Sequence, residues 1–457
     1  MPKKKLFTTQ AQKQRELLIL SVSVLFGLCF LLSRVGNDDL SNYTKYQMPV
    51  SEIFPWLARG FSNWGSRIFI NFGVLLVSRS GYPGLVVYAS GSMYIFLKAL
   101  HLLYGKDPDN KVSLFIISIA MIYPFRVLHT SGWAMGLTTY FGPASCMLMA
   151  LVPIKKHCDG EKIRIPHMVL YFLAALYASN SEQNMIILLG SYIVAVLFFL
   201  FQKKWSTRIA ILGTGAVINL ILILVSPGNQ ARSSSEVQTW FPDFSMLDSI
   251  DRLELGTSTT IQWLLCEGQL LVILCTLLMM VMIWEKYSHY LIRTVAVIPF
   301  AFSVLTGPLR FVLAQLIPES AILYGPVDKY GLFTISNQGR GAGPLQFCVL
   351  LFVIACIIID LLMLNDTPRG CIADISLCVF GMGSRIMMGL SPTIHASNNR
   401  TFTAFLFCLG AMTVHIYSTY RNKPPKTKFV KVLPYIDLML IFFGFLSLLT
   451  TLVSVFY

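Results

Sequence analysis

Thirteen apolar stretches of membrane-spanning or near-spanning length run through the chain, at about 16–34, 82–104, 112–128, 137–153, 166–179, 185–202, 208–226, 259–284, 293–316, 344–363, 371–390, 401–418 and 432–456. A stretch of roughly 20 apolar residues is what an α-helix needs to cross a bilayer core. Only 13% of the 457 residues are charged against 55% hydrophobic, and a soluble enzyme carries about a quarter charged. An ordinary soluble enzyme is therefore excluded. The expected fold is an all-α polytopic membrane protein, a single integral membrane domain over residues 1–457.

The run from Ile68 to Val77 decides the topology. At about ten residues it falls in the range of a re-entrant or interfacial segment rather than a span. If it does not cross, the loops on the N-terminal side of the membrane collect the lysine-rich clusters: Lys3, Lys4 and Lys5; Lys155, Lys156 and Lys162; Lys203 and Lys204; Lys423, Lys426 and Lys428. If it crossed, the later clusters would lie outside, against the positive-inside rule. The expectation is thus about thirteen spans with the N-terminus in the cytoplasm. Nearly all of the formal net charge of +14 then belongs to the cytoplasmic face, where it orients the protein. The basic excess has this use without a nucleic-acid partner, and none is expected.

The first apolar stretch follows basic residues and is too long for a signal-peptide core, so it reads as an uncleaved first span. Ten cysteines occur without a C-x-x-C pair, which supports neither a zinc site nor a disulfide framework.

The loops left on the outer side differ from the inner ones. The first, 35–81, contains Asp38 and Asp39, then a stripe of Ile53, Phe54, Leu57, Phe61 and Trp64, then Trp64-Gly65-Ser66-Arg67. A stripe of that kind reads as a helix lying in the membrane interface. Further outer elements are His129-Thr130-Ser131-Gly132-Trp133, the turn Asn180-Ser181-Glu182-Gln183-Asn184, and the loop 227–258, entered through Ser226-Pro227-Gly228-Asn229-Gln230-Ala231-Arg232. Two more are the loop 317–343 with Arg340 in a glycine-rich run, and Ser391 to Arg400. No P-loop, H-E-x-x-H pair or G-x-S-x-G elbow is present, so nucleotide hydrolysis, zinc proteolysis and elbow-type esterase chemistry lose their usual support.

This inventory suits transfer of a group between hydroxyl and phosphate. A carboxylate can take the proton of a hydroxyl nucleophile, and guanidinium forks suit a phosphate leaving group. Each element also has a plainer reading. Asp38 and Asp39 suit capping of the interfacial helix or a solvated loop, Glu182 a solvated turn, and Arg67, Arg232 and Arg400 anchoring to lipid phosphates.

The ordered set of outer motifs resembles bacterial multi-pass glycosyltransferases of the GT-C class. These motifs are the double aspartate after the first span, Trp-Gly-x-Arg, Ser-Gly-Trp, Ser-Glu-Gln-Asn, Ser-Pro-Gly-Asn-x-x-Arg and a late Ser-Pro…Asn-Arg. The branch looks like relatives of serotype-converting and cell-wall polysaccharide side-chain transferases. The resemblance implies a GT-C-like bundle and an inverting transfer from a polyprenyl-phosphate-linked sugar to a hydroxyl of a cell-surface glycan on the outer face of the cell membrane. It implies Asp38 or Asp39 as the base. Trp64, Arg67, Glu182, Asn229, Arg232 and Arg400 would form the substrate site, with Arg340 added from its glycine-rich loop. The chain departs from the pattern at Gly65-Ser66, where Asn-Gly is expected, and at Ser181, where a histidine is expected. No metal ligands are assigned, and a divalent metal between phosphate and aspartate stays open. Two alternatives share the arginine logic, a flippase or transporter and a polymerase or ligase of lipid-linked saccharides.

Overall fold

The computed structural model describes residues 2–33, 36, 38–39, 47–105, 111–333, 342–421 and 433–456. Within them the regular elements are all helical, joined by turns and loops, and the β pairing among the described residues is one isolated bridge, Asp328 to Gly331. Helices meet the demand of a bilayer, because each buried backbone amide finds its partner within its own segment. Ten helices among the described residues are long and apolar enough to cross a membrane, or up to twelve if each of two bent pairs is one span. The protein is a multi-pass membrane protein. Of the thirteen expected spans, 166–179 is the 14-residue helix Ile165–Ala178, about 21 Å long at 1.5 Å per residue. That is short of the ~30 Å hydrocarbon core. The expected spans 259–284 and 293–316 are the bent pairs, broken by 73° and 88°.

Two compact units divide the chain. The first comprises Met1–Ser235, Ser397–Phe407 and Met439–Tyr457. Its helices are α1 (Pro2–Leu28), α2 (Ile53–Asn63), α3 (Ile68–Tyr104), α4 (Lys111–Ile122), α5 (Trp133–Cys158), α6 (Ile165–Ala178), α7 (Glu182–Phe201), α8 (Thr207–Val225) and most of α9 (Pro227–Trp240). Helix α3 packs on α1 and α5, and α6, α7 and α8 pack on one another. The run that decided the topology is the first part of α3. It is set off from the remainder at Gly81, whose φ of 59° and ψ of −146° fall where only glycine sits without a Cβ clash. Before that break, Ile70, Val74 and Leu75 are buried with Ile53 and Leu57 of α2. The expected stripe on α2 therefore divides. Its i, i+4 pair Ile53 and Leu57 faces protein, while Phe54 and Trp64 are exposed.

Aromatic rings fill the interior of this unit. Phe26 and Phe30 of the first span, Phe125, Phe141 and Phe407 are each nearly inaccessible, and Phe125 and Phe141 lie 5.4 Å apart between centroids. Phe30 meets Trp133 edge-on at 5.2 Å. The start of α5 is thereby anchored in the core, and the site described below is built on it.

The second unit comprises Glu236–Ala396 and Cys408–Leu438. It holds α10 (Ser249–Cys266), α11 (Leu270–Lys286), α12 (Tyr290–Thr306), α13 (Arg310–Leu316), α14 (Ala342–Leu364), α15 (Pro368–Ile386) and most of α16 (Thr403–Arg421). The final helix, α17 (Leu433–Phe456), begins here and continues in the first unit. The expected loops 227–258 and 317–343 meet in this unit. Phe241, Phe244, Leu247 and Leu255 form a small core with Ile394. Asp243 pairs with Lys329 at 2.6 Å and accepts from Tyr330 Oη at 2.9 Å, and Glu254 accepts the backbone N–H groups of Leu332 and Phe333. Buried Asp374 accepts from Asn365 and pairs with His415 at 2.7 Å. All ten cysteines are free.

Candidate functional site

The two aspartates of the first loop have opposite environments. Asp38 is exposed and Asp39 is 2% exposed. Helix α5 opens at Trp133, and the first turn of any helix leaves backbone N–H groups without intrahelical partners. Asp39 supplies acceptors for two of them, Oδ2 to Ala134 N at 3.0 Å and Oδ1 to Met135 N at 2.9 Å. Gly132 permits this approach. Its φ is +90°, and a Cβ there would lie 2.4 Å from the Asp39 carboxyl carbon. The Ser-Gly-Trp motif is thus a seat for Asp39. Burial lifts the Asp39 carboxyl from its ordinary 3.8 to about 6, against the opposing pull of the backbone N–H groups. Asp39 is neither a solvated loop residue nor a cap of the interfacial helix α2; it caps α5 instead.

Arg67 ends the Trp-Gly-x-Arg element and lies against the first residue of α7. Its Nε donates to both Glu182 oxygens, at 3.2 and 2.9 Å, and its Nη2 to Oε2 at 2.7 Å. A forked pair of this kind fixes the guanidinium plane as well as its position. Both side chains keep close to a third of their surface exposed, so the pair is accessible rather than a sealed core bridge. Arg232 completes the cluster. Its charge acts on Glu182, and its Nη1 would be 3.5 Å from a Cβ added at Gly65.

What holds these pieces in register is a set of asparagines. Asn229 accepts from Ser66 N and donates to Ser66 Oγ, both at 3.3 Å, and donates to Ile223 O at 2.9 Å. Gly228 lets the two strands of chain touch, since a Cβ there would meet Trp64 N at 2.5 Å and Gly65 N at 2.6 Å. Asn180 Oδ1 accepts from the N–H groups of Phe69 and Ile70, at the start of α3, while its Nδ2 donates to Ser66 O and to Asn219 Oδ1. Asn219, wholly buried on α8, donates in turn to Leu176 O and Ser179 Oγ. Neither Asn180 as a hub nor Asn219 was singled out from the sequence. A lone Asn within an apolar span is the signal that marks such a residue, because a polar group in hydrocarbon requires a partner.

The late loop joins through Gln183, whose Nε2 donates to Thr401 O at 2.7 Å. Next to Thr401, Arg400 donates to Tyr140 Oη at 3.2 Å and Thr130 Oγ1 at 3.4 Å. Arg67, Glu182, Asn229 and Arg232 therefore form one cluster, linked by the adjacent Gln183 to Arg400. Asp39 lies close by in structure, since Met135, which it caps, packs on the same apolar group as Ile68. Trp64 is exposed beside the cluster. Arg340 lies outside the described residues. Among the described residues no group of three or more His, Cys, Asp or Glu side chains is arranged to hold a metal ion.

Compared with known proteins, the chain matches no protein-family model, no curated protein and no solved structure.

Proposed function

We propose that the protein is a GT-C-like glycosyltransferase that moves a sugar from a polyprenyl-phosphate donor to a hydroxyl of a cell-surface glycan on the outer face of the cell membrane. The observation that carries this reading is the convergence of motifs from residues 38 to 400 in one unit. Arg67 is forked onto Glu182, Arg232 acts on the same carboxylate, and Gln183 ties this pair to the segment that carries Arg400, all in the unit that also holds the exposed Asp38 and Trp64.

The division of labour follows from exposure. A general base must reach the proton it takes, and Asp38 is exposed whereas both oxygens of Asp39 are occupied by backbone N–H groups. Asp38 is therefore the base and Asp39 a positioning residue that fixes the loop to α5. Asp38 takes the proton of the acceptor hydroxyl while that oxygen forms a bond to the anomeric carbon. The bond from that carbon to the phosphate oxygen breaks on the opposite face, and polyprenyl phosphate leaves with the electron pair. Arg67, Arg232 and Arg400 stabilise the charge that develops on the phosphate, with Glu182 holding Arg67 in plane. An always-protonated guanidinium does this without a proton transfer of its own.

The test is sugar transfer from a lipid-linked donor by membranes containing Asp38→Asn or Asp39→Asn protein, each checked for insertion. Loss of transfer in Asp38→Asn is expected, at the 10²–10⁴-fold scale of a missing base. Full activity in that variant removes the base assignment. Full activity in variants of all three arginines removes the phosphate site.

A further inference from the structure

At the turn between α11 and α12, in the second unit, a cleft of about 440 Å³ opens. Helix α11 ends at Lys286 and α12 begins at Tyr290, and both belong to candidate spans. A turn of three residues between two such helices lies at a boundary of lipid and water. The head of the cleft is polar and cationic. Arg293 Nε donates to Tyr287 O at 2.7 Å and its Nη2 to Trp284 O at 3.1 Å. Trp284 Nε1 returns a bond to Arg293 O at 3.0 Å, and the guanidinium lies 5.6 Å from the indole centroid. The guanidinium is thus clamped by two carbonyls and a ring. Among the described residues nothing accepts from its Nη1.

Beyond Ser288 and Thr294 the remainder of the cleft is apolar. Val297, Ile298 and Ala301 line it, four to eight residues beyond Arg293 on α12, or about 6–12 Å at 1.5 Å per residue. That reaches into one leaflet of a ~30 Å core. No carboxylate lines the cleft. Trp284 and Tyr290 also line it, and aromatic residues of this kind gather at the level of lipid headgroups.

We propose that this cleft is a seat for an anionic phospholipid, with the phosphate on Arg293 and an acyl chain along Val297, Ile298 and Ala301. A free phosphate would satisfy the guanidinium and leave the apolar groove empty. A lipid fills both. Lys286 does not supply the charge, because it is engaged by Asp366 at 2.7 Å.

Native mass spectrometry of the delipidated full chain in detergent tests this with three additions: phosphatidylglycerol, phosphatidylcholine, and phosphatidylglycerol with millimolar inorganic phosphate. The wild-type chain is expected to retain phosphatidylglycerol about tenfold better than phosphatidylcholine, the scale of one charge-assisted contact. Arg293→Gln is expected to erase that preference. Ala301→Trp fills the groove without touching the Arg293 bonds, and is expected to weaken both lipids, which keeps the test decisive where Arg293→Gln disturbs the turn. Equal retention of the two lipids by the wild-type chain overturns the proposal, as does unchanged phosphatidylglycerol binding in both variants. Displacement by inorganic phosphate overturns the lipid assignment in favour of a soluble anion.

Discussion

Replacing Asp39 by Ala separates a positioning carboxylate from a catalytic one. The change removes both acceptors from the N–H groups of Ala134 and Met135, at a place where Trp133 and Ala134 are almost wholly buried, so water is a poor substitute. An orphaned buried donor costs about 1–3 kcal/mol, and loss of an N-cap side chain about 0.5–2 kcal/mol. Two donors at a helix end that can fray towards water give roughly 2–4 kcal/mol. Local opening of the first turn of α5 should become more frequent by the corresponding factor, ~30- to ~700-fold at 1.4 kcal/mol per decade. Hydrogen exchange followed by mass spectrometry on peptides covering 130–138 reads this directly, because amide protection reports the local opening energy. Asp38→Ala is the control, and should leave those amides unchanged while abolishing transfer. Exchange in Asp39→Ala within about threefold of wild type, about half a decade or ~0.7 kcal/mol, refutes the capping argument. Equal acceleration in the two variants refutes the division of roles.

The remaining predictions concern the same unit. Because the Asp39 carboxyl sits at about 6 in the fold against an ordinary 3.8, the folded chain binds that proton before the unfolded chain does. The Asp39 contribution to stability therefore falls as pH rises between those two values; melting curves from pH 4 to 7.5 should show the slope in wild type, and its loss in Asp39→Asn. Gly228→Ala puts a methyl group against the backbone nitrogens of Trp64 and Gly65, and should destabilise by about 1–3 kcal/mol, the cost of overpacking, in denaturant unfolding. Arg67→Lys keeps the charge but loses the fork on Glu182, so transfer should drop about tenfold or more, with little change in protein yield. Asn219→Leu removes the partner of Asn180 and should lower stability by roughly 1 kcal/mol. It should also lower transfer, since Asn180 holds Ser66 and the start of α3; an unchanged rate would show that the Arg67 element is positioned without it.

Some of this was legible in the chain alone, for a physical reason. Hydrocarbon admits only helices and closed barrels, and continuous apolar runs near 20 residues fit helices, so composition and run length suffice to read an all-helical multi-pass protein. Chain motifs such as Trp-Gly-Ser-Arg and Ser-Pro-Gly-Asn are equally visible, because glycine and asparagine in such loops mark close approach and backbone hydrogen bonding. Which motif touches which was not visible, since Ser66 and Asn229 are 163 residues apart and no local periodicity encodes that pairing. Nor could residue type distinguish Asp38 from Asp39. The two are neighbours with identical chemistry, and only the packing of Gly132 and Trp133 makes one a buried cap and leaves the other exposed. The length of a helix against the bilayer core was another tertiary outcome, as α6 ends after 14 residues and two expected spans bend sharply. Sequence determined the solvent this protein lives in and the residues available for chemistry. Tertiary structure decided their partners, because a carboxylate or guanidinium takes its role from the groups that desolvate it and hydrogen-bond to it.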